Sequence, residues 1–156
     1  MRLVLQRVSR AAVSVNGGEP ESIGPGLVIL AGICAADDEG IADKMAEKAV
    51  NLRIFEDENG LMNRSLLDCK GECLVISNFT LYANSRKGRR PSFTDAAPPE
   101  YAKPLYAYFL SALAAAGCRR VQDGEFGAEM QVEIHNDGIP RFIMISAFGD
   151  LSNTSS

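Results

Sequence analysis

The sequence predicts an α+β domain built on a mostly antiparallel, β-barrel-like sheet with two main helices outside it. Three observations carry that expectation. Apolar stretches of β type cluster together rather than alternating strictly with helices, the pattern of an antiparallel sheet. Only two segments carry helical periodicity. The chain has 156 residues and a mass of 16.8 kDa, one domain at roughly 100–200 residues per domain. A chain of this length buries roughly 68–70% of its unfolded surface, so it needs neither disulfide nor metal to fold.

The elements follow in order. Residues 2–15 carry paired apolar positions, Leu3 and Leu5, then Val13 and Val15. They predict two strands joined near Ser9-Arg10. Asn16-Gly17-Gly18 and Ile23-Gly24-Pro25-Gly26 are turn signals. The continuous apolar run GLVILAGI at 26–33 suits a buried central strand. Asp37-Asp38 offers an N-cap for an amphipathic helix. Ile41, Met45 and Ala49 recur on one face, and Lys44, Glu47 and Lys48 fall on the other. Asp57-Glu58-Asn59-Gly60 is a turn. Residues 73–82, CLVISNFTLY, read as a strand with a polar interruption at Ser77-Asn78.

Residues 84–98 form a long basic loop containing proline, and long loops inside compact domains are often functional. The second helix is expected over 99–117, because Pro99 suits a first helical position and Gly117 a stop. Tyr101, Leu105, Phe109 or Tyr108, Ala112 and Leu113 form its apolar stripe. Pro104 should bend it unless it lies close to the start. Residues 123–127 read as a loop. Alternation over 130–135 predicts a strand, Asn136-Asp137-Gly138 a hairpin turn, and residues 142–147 a final strand. The domain is expected to span 1–149, leaving a polar, disordered tail over 150–156. The sum is about seven strands or more, with two helices.

Composition removes several classes. Apolar residues make up 46% and charged residues 23%, ordinary for a globule and unlike collagen or a disordered chain. No stretch approaches the roughly 18 apolar residues of a membrane span. The opening MRLVLQR is too short and too charged for a secretory signal. A cytoplasmic protein with no membrane partner is expected. The net charge of −4, from 16 basic and 20 acidic residues, is unlike that of a non-specific nucleic-acid binder. Positive charge is nevertheless clustered at Arg86-Lys87-Gly88-Arg89-Arg90. A solvated loop explains such a run as readily as a phosphate contact does. Of the four cysteines only Cys69 and Cys73 are close, and their spacing is not CxxC. No zinc ligand set is expected.

Conventional catalytic machinery is scarce. A nucleophilic triad needs a histidine base, and His135 is the sole histidine, in an alternating strand. No Walker loop occurs, and no GxGxxG in a strand-to-helix setting. Two segments stand out. SNFTL at 77–81 puts polar side chains inside an apolar strand, where an unpaired polar group costs roughly 1–3 kcal/mol; a site, or a strand end where Ser77 and Asn78 reach solvent, explains it equally well. NDGIP at 136–140 is a turn with two conformationally special residues.

The ordered series LVLQRVSRAAVSV, IGPGLVILAGI, NLRIFEDENGLMN, SNFTL, RKGRRPSF, GEFGAEMQV and NDG resembles the D-aminoacyl-tRNA deacylase family, once called D-tyrosyl-tRNA deacylases. The resemblance runs from Met1 to about Ser146. It implies hydrolysis of the ester joining a D-amino acid, or mischarged glycine, to the 3′ adenosine of tRNA. It also implies a homodimer with its site at the subunit interface, and an aminoacylated tRNA 3′ end and a D-amino acid as partners. No DNA partner, cofactor or metal is expected. Side-chain acid–base chemistry is not needed if the 2′-OH of the terminal ribose assists water, because that hydroxyl is already positioned. RNA would then be required, since only RNA carries a 2′-OH. Peptide N–H groups around Phe79 and Thr80 would hold the oxyanion. Ser77, Asn78, Phe79 and Thr80 match the family's SQFTL strand, and Phe126 and Met130 match the segment beside the adenosine. Arg86, Lys87, Arg89 and Arg90 are the expected phosphate contacts.

The sequence departs from the family twice at this site. Asn78 replaces a glutamine and is one methylene shorter. Asn136-Asp137-Gly138-Ile139-Pro140 replaces a loop with a cis Gly-Pro bond, which one subunit inserts into the other's pocket to reject L side chains. Gly138-Ile139 is expected to be trans, because cis before a non-proline costs about 2.5–4 kcal/mol. A one-residue shift would instead make Ile139-Pro140 the cis bond. An aminoacyl-tRNA-binding module with altered or lost catalysis is the alternative function. A dimeric scaffold for a small D-amino acid or nucleotide is a third.

Overall fold

β1 (Arg2–Val15) is the template of the sheet, and both of its edges are used twice. The structure is a computed structural model that describes residues 1–148. On one edge Arg2–Val8 pairs antiparallel with β3 (Gly26–Gly32), and Ala11–Val13 with β2 (Glu21–Ile23). On the other, Val8 to Val15 pairs antiparallel with β8 (Met130–Asn136), and Arg2 to Gln6 with β9 (Phe142–Ser146). The two strands expected over 2–15 are therefore one. What sits at Ser9-Arg10 is a bulge, where the β8 register shifts between Val8 and Arg10 and the strand can coil without ending.

β3 pairs in parallel with β6 (Glu72–Ser77), and β6 in parallel with β7 (Val121–Asp123). β7 is three residues long, too short to leave a periodic signal. A separate hairpin joins β4 (Phe55–Glu56) to β5 (Met62–Arg64) across the expected turn. There the Asp57 carboxylate accepts the N–H groups of Asn59 and Leu61 and the amide of Asn63. The result is the mostly antiparallel, barrel-like α+β fold that the sequence predicts.

α1 (Glu39–Asn51) starts where Asp38 accepts the Ile41 N–H at 2.8 Å, and it buries Ala42, Met45, Ala46, Ala49 and Val50. α2 (Leu66–Cys69) is a single turn held by a capping box between Ser65 and Asp68. α3 (Pro99–Ala115) begins at Pro99 and runs past Pro104. It buries Leu105, Phe109, Ala112 and Leu113. Tyr108 leaves the apolar stripe to donate its hydroxyl to Asp43 of α1 at 3.0 Å, and Tyr106 donates to the Val75 carbonyl at 3.0 Å.

α1 and α3 cover one face of the sheet. Leu3, Leu5, Leu27, Ile29 and Val75 meet Ala46, Val50, Phe109 and Leu113 there, all fully buried. Each large side chain so buried contributes about 1.5–3 kcal/mol. A smaller cluster of Val8, Val13, Val28 and Leu74 lies apart from it, with Val132 and Ile134 of β8 packed on it. β3 is thus buried on both faces, which is why it reads as an unbroken apolar run.

Asn136-Asp137-Gly138 is not a hairpin turn. β8 and β9 both run antiparallel to β1 along the same edge, so the chain keeps its direction. Residues 137–141 are an excursion between them. The Asp137 N–H donates to the Arg7 carbonyl at 3.1 Å, and the Arg7 N–H donates to the Arg141 carbonyl at 3.3 Å. The Arg7 side chain is 4% exposed. Its Nη1 donates to the Ile54 carbonyl at 3.1 Å and its Nη2 to the Asp137 carbonyl at 3.3 Å. Glu56 and Asp137 complete ion pairs at 3.5 and 3.6 Å. Gly138 sits at a φ of 63°, a left-handed conformation that glycine takes without strain. Every peptide bond among the described residues is trans, so neither Gly138-Ile139 nor Ile139-Pro140 is cis. The expected disordered tail over 150–156 lies outside the described residues.

Candidate active site

β6 ends at Ser77, short of the strand expected through Tyr82. The Asn78 N–H donates to the Ala31 carbonyl at 2.8 Å, and the chain then folds into a 3₁₀ turn, Phe79–Tyr82. The Asn78 side chain is the reason. Its Oδ1 accepts the Thr80 N–H at 3.1 Å and the Thr80 hydroxyl as well. An asparagine bonding a backbone N–H two residues on replaces a strand's ladder with a turn. Gly32 lets the turn lie close on β3, because a Cβ there would stand 3.0 Å from the Leu81 Cβ and 3.1 Å from the Asn78 carbonyl. Arg2 secures the far end. It donates Nη1 to the Leu81 carbonyl at 3.0 Å and lies 4.5 Å from the centre of the Tyr82 ring, a cation–π distance.

The turn forms one wall of a cleft of about 540 Å³, within the span of small-molecule sites. Ser77, Asn78 and Phe79 line that wall. Phe93, Ala96 and Ala97 come from the 84–98 segment, and Phe126, Gly127, Ala128 and Met130 from the chain around the start of β8. Phe79 and Phe93 meet edge to face at 5.2 Å. Phe126 packs against Tyr106 at 5.8 Å. Met130 lies over Gly124, where a Cβ would fall 2.3 Å from its sulfur.

No lining side chain is titratable. The nearest perturbed groups stand beside Phe126. Burial, then Asp123, pushes the Tyr106 hydroxyl up. Burial, then Glu21, pushes the Asp123 carboxyl up. Among the described residues no group of three or more His, Cys, Asp or Glu could hold a metal. No helix there is long and apolar enough to cross a membrane. The cleft can therefore hold a mostly apolar ligand and offer it neutral hydrogen-bond donors. It supplies no general base of its own.

A family profile described as D-Tyr-tRNA(Tyr) deacylase matches residues 4–145. The chain belongs to that family. A D-aminoacyl-tRNA deacylase of Roseiflexus castenholzii is 54% identical over 147 residues, 94% of this chain and 93% of its own. Another, from Thermomicrobium roseum, is 54% identical over 138 residues, 88% and 89% of the two chains. A solved structure described as a c-Myc DNA Unwinding Element Binding Protein superimposes with a TM-score of 0.87 at 41% identity, over 94% of this chain and 98% of that one. A probable eukaryotic D-amino acid tRNA deacylase shares the fold, with a TM-score of 0.79 at 17% identity over 92% and 98% of the chains.

The deacylase-family residues named from the sequence divide into four groups. Ser77, Asn78, Phe79, Phe126 and Met130 come together on the cleft. Thr80 is exposed and bonded to Asn78, and it does not line the cleft. Its N–H is already taken, whereas the Phe79 N–H has no partner among the described residues. Arg86, Lys87, Arg89 and Arg90 are exposed at the end of an arm closed by the Asn84–Ser92 backbone pair at 2.8 and 2.9 Å. Phe93 at the base of that arm reaches the cleft. Asn136, Gly138, Ile139 and Pro140 are exposed and do not line this chain's own cleft.

Two residues of this deacylase-family chain escaped the sequence reading. Phe93 sits in a loop, where no periodicity marks it. Arg7 carried a legible signal: it shares the parity of Leu3 and Leu5, the buried face of β1. A charge on that face needs partners.

Proposed function

We propose that this chain hydrolyses the ester of D-aminoacyl-tRNA, releasing free D-amino acid and tRNA. Family membership sets the reaction class. The observation that carries the mechanism is the cleft without a titratable side chain. Water adds to the ester carbonyl carbon, the bond to the ribose 3′ oxygen breaks, and that oxygen takes a proton. The 2′-OH beside it is the group available to relay protons. Phe126 and Met130 offer apolar surface to the terminal adenine. The Phe79 N–H serves the developing oxyanion, a role worth about 2.7–4 kcal/mol for one well-placed donor. Arg86, Lys87, Arg89 and Arg90 contact tRNA phosphates.

The chain works as a cytoplasmic homodimer in which the 137–141 excursion of one subunit approaches the cleft of the other. Exposed Ile139, Phe142 and Met144 near the free edge of β9 support a partner on that side. A second reading, an aminoacyl-tRNA-binding module with altered catalysis, draws on the trans Gly138-Ile139 bond. A deacylation time course on D-tyrosyl-, L-tyrosyl- and glycyl-tRNA separates the two. Selective loss of the D form supports the hydrolase with its chirality filter intact. Loss of D and L alike supports a hydrolase without one. Tight binding with no release of any amino acid would replace the hydrolase with the binding module.

A further inference from the structure

The deacylase reading leaves the oxyanion with one evident peptide donor, and this chain's own departure from its family stands beside it. Asn78 uses its Oδ1 twice, for the N–H and for the hydroxyl of Thr80. Two donors on one oxygen fix which end of the amide is which, because a side-chain amide accepts only through oxygen and donates only through nitrogen. The Nδ2 hydrogens then take no partner among the described residues, while Asn78 lines the cleft. The Phe79 N–H, next along the chain, is likewise unpartnered among the described residues, and Phe79 lines the cleft.

We propose that the Asn78 side-chain amide is a second donor to the scissile carbonyl oxygen, and that Thr80 is the positioning residue that turns it. Resting on the deacylase reading above, this assigns different work to the two residues. Asn78 touches the reacting oxygen as the bond to water forms. Thr80 touches no substrate; it holds Asn78 through its hydroxyl and its N–H. A shorter amide suits this arrangement. Asparagine reaches the N–H two residues on and closes a turn, which leaves its nitrogen free in the residue next to Phe79.

The test compares wild type with Thr80→Ser, Thr80→Val and Asn78→Asp, reading kcat and KM on D-tyrosyl-tRNA together with the thermal midpoint. Aspartate keeps the acceptor for Thr80, removes the donor and adds a negative charge beside the reacting oxygen, so both changes disfavour the oxyanion. Asn78→Asp should lower kcat by about 100- to 1,000-fold, the usual effect of losing one oxyanion donor, with KM and midpoint little changed. Thr80→Val should lower kcat, and Thr80→Ser, which keeps the hydroxyl, should restore it. Thr80 is exposed, so the Ser/Val pair stays interpretable even if Asn78→Asp folds poorly. An active wild type with an unimpaired Asn78→Asp, or with equal Ser and Val variants, overturns this inference alone. A wild type that releases no amino acid overturns the deacylase reading and the inference with it.

Discussion

Replacing Arg7 with methionine keeps the aliphatic stem on the buried face of β1 and deletes only the guanidinium. Two hydrogen bonds are lost, to the Ile54 and Asp137 carbonyls at 3.1 and 3.3 Å. Hydrogen bonds to a charged group contribute about 1.5–3 kcal/mol each. The ion pairs add little, because Glu56 and Asp137 are 46% and 55% exposed and solvent-screened pairs are worth at most about 1 kcal/mol. Against this, Arg7 Nε is buried with no hydrogen-bond partner, and removing it relieves a desolvation cost. The net loss is about 2–4 kcal/mol. At about 2–4 °C per kcal/mol for a chain of this size, the thermal midpoint should fall by about 5–15 °C. The damage should be local first. Amide exchange over 137–141 should accelerate more than exchange in β3, which the Arg7 backbone pairs but its side chain does not hold. A midpoint within about 1 °C of wild type, with unchanged exchange in the excursion, would refute the view that Arg7 pins it.

Gly124→Ala should push the Met130 sulfur off its seat, since a Cβ would come within 2.3 Å of it. It should weaken tRNA binding while the far wall at Ser77 keeps its exchange protection; unchanged affinity would remove Met130 from the adenosine site. Arg89 and Arg90 replaced together by alanine should flatten the salt dependence of tRNA affinity by about 1.5 in log–log slope, the share of two phosphates. An unchanged slope would leave the arm without a phosphate role. Glu72 supplies a pH test. The Gly24 N–H, and then Arg120, hold its carboxyl below the usual glutamate range. Its stabilising effect is therefore present above that range and lost as pH falls through the lowered value. Glu72→Gln should lose less in midpoint between pH 7 and pH 3 than wild type does; identical losses would show that Glu72 is not responsible.

The long-period signals in the sequence were reliable; the short-range ones held at the helix starts and at the Asp57 turn but failed at Ser9-Arg10, at Asn78 and at Asn136-Asp137-Gly138. The α1 face was legible because it repeats over several turns, and the Asp38 cap and the Pro99 start of α3 because each residue type favours a helix N-terminus. β7 and α2 were not, being too short to repeat. The strand expected through Tyr82 stops at Ser77 because one side chain, Asn78, outbids the ladder for the Thr80 N–H. Asn136-Asp137-Gly138 has hairpin chemistry, yet β1 offers a second stretch of free edge, and pairing with it governs direction. The cleft wall at 77–79 was visible as polar residues in an apolar run. The opposite wall was visible only in part, because Phe93 reaches the site through tertiary folding alone.

The split pairing of β1 has a consequence for how this molecule can change. β8 and β9 are each locked to β1 by their own register, so neither depends on the number of residues between them. The 137–141 excursion is in effect a cassette, exchangeable without re-registering the sheet. A different loop could be seated there, longer by a residue or differently bent, and both flanking strands would still find their places. The sequence already carries one such exchange, Ile139 ahead of Pro140, while the barrel around it stays intact.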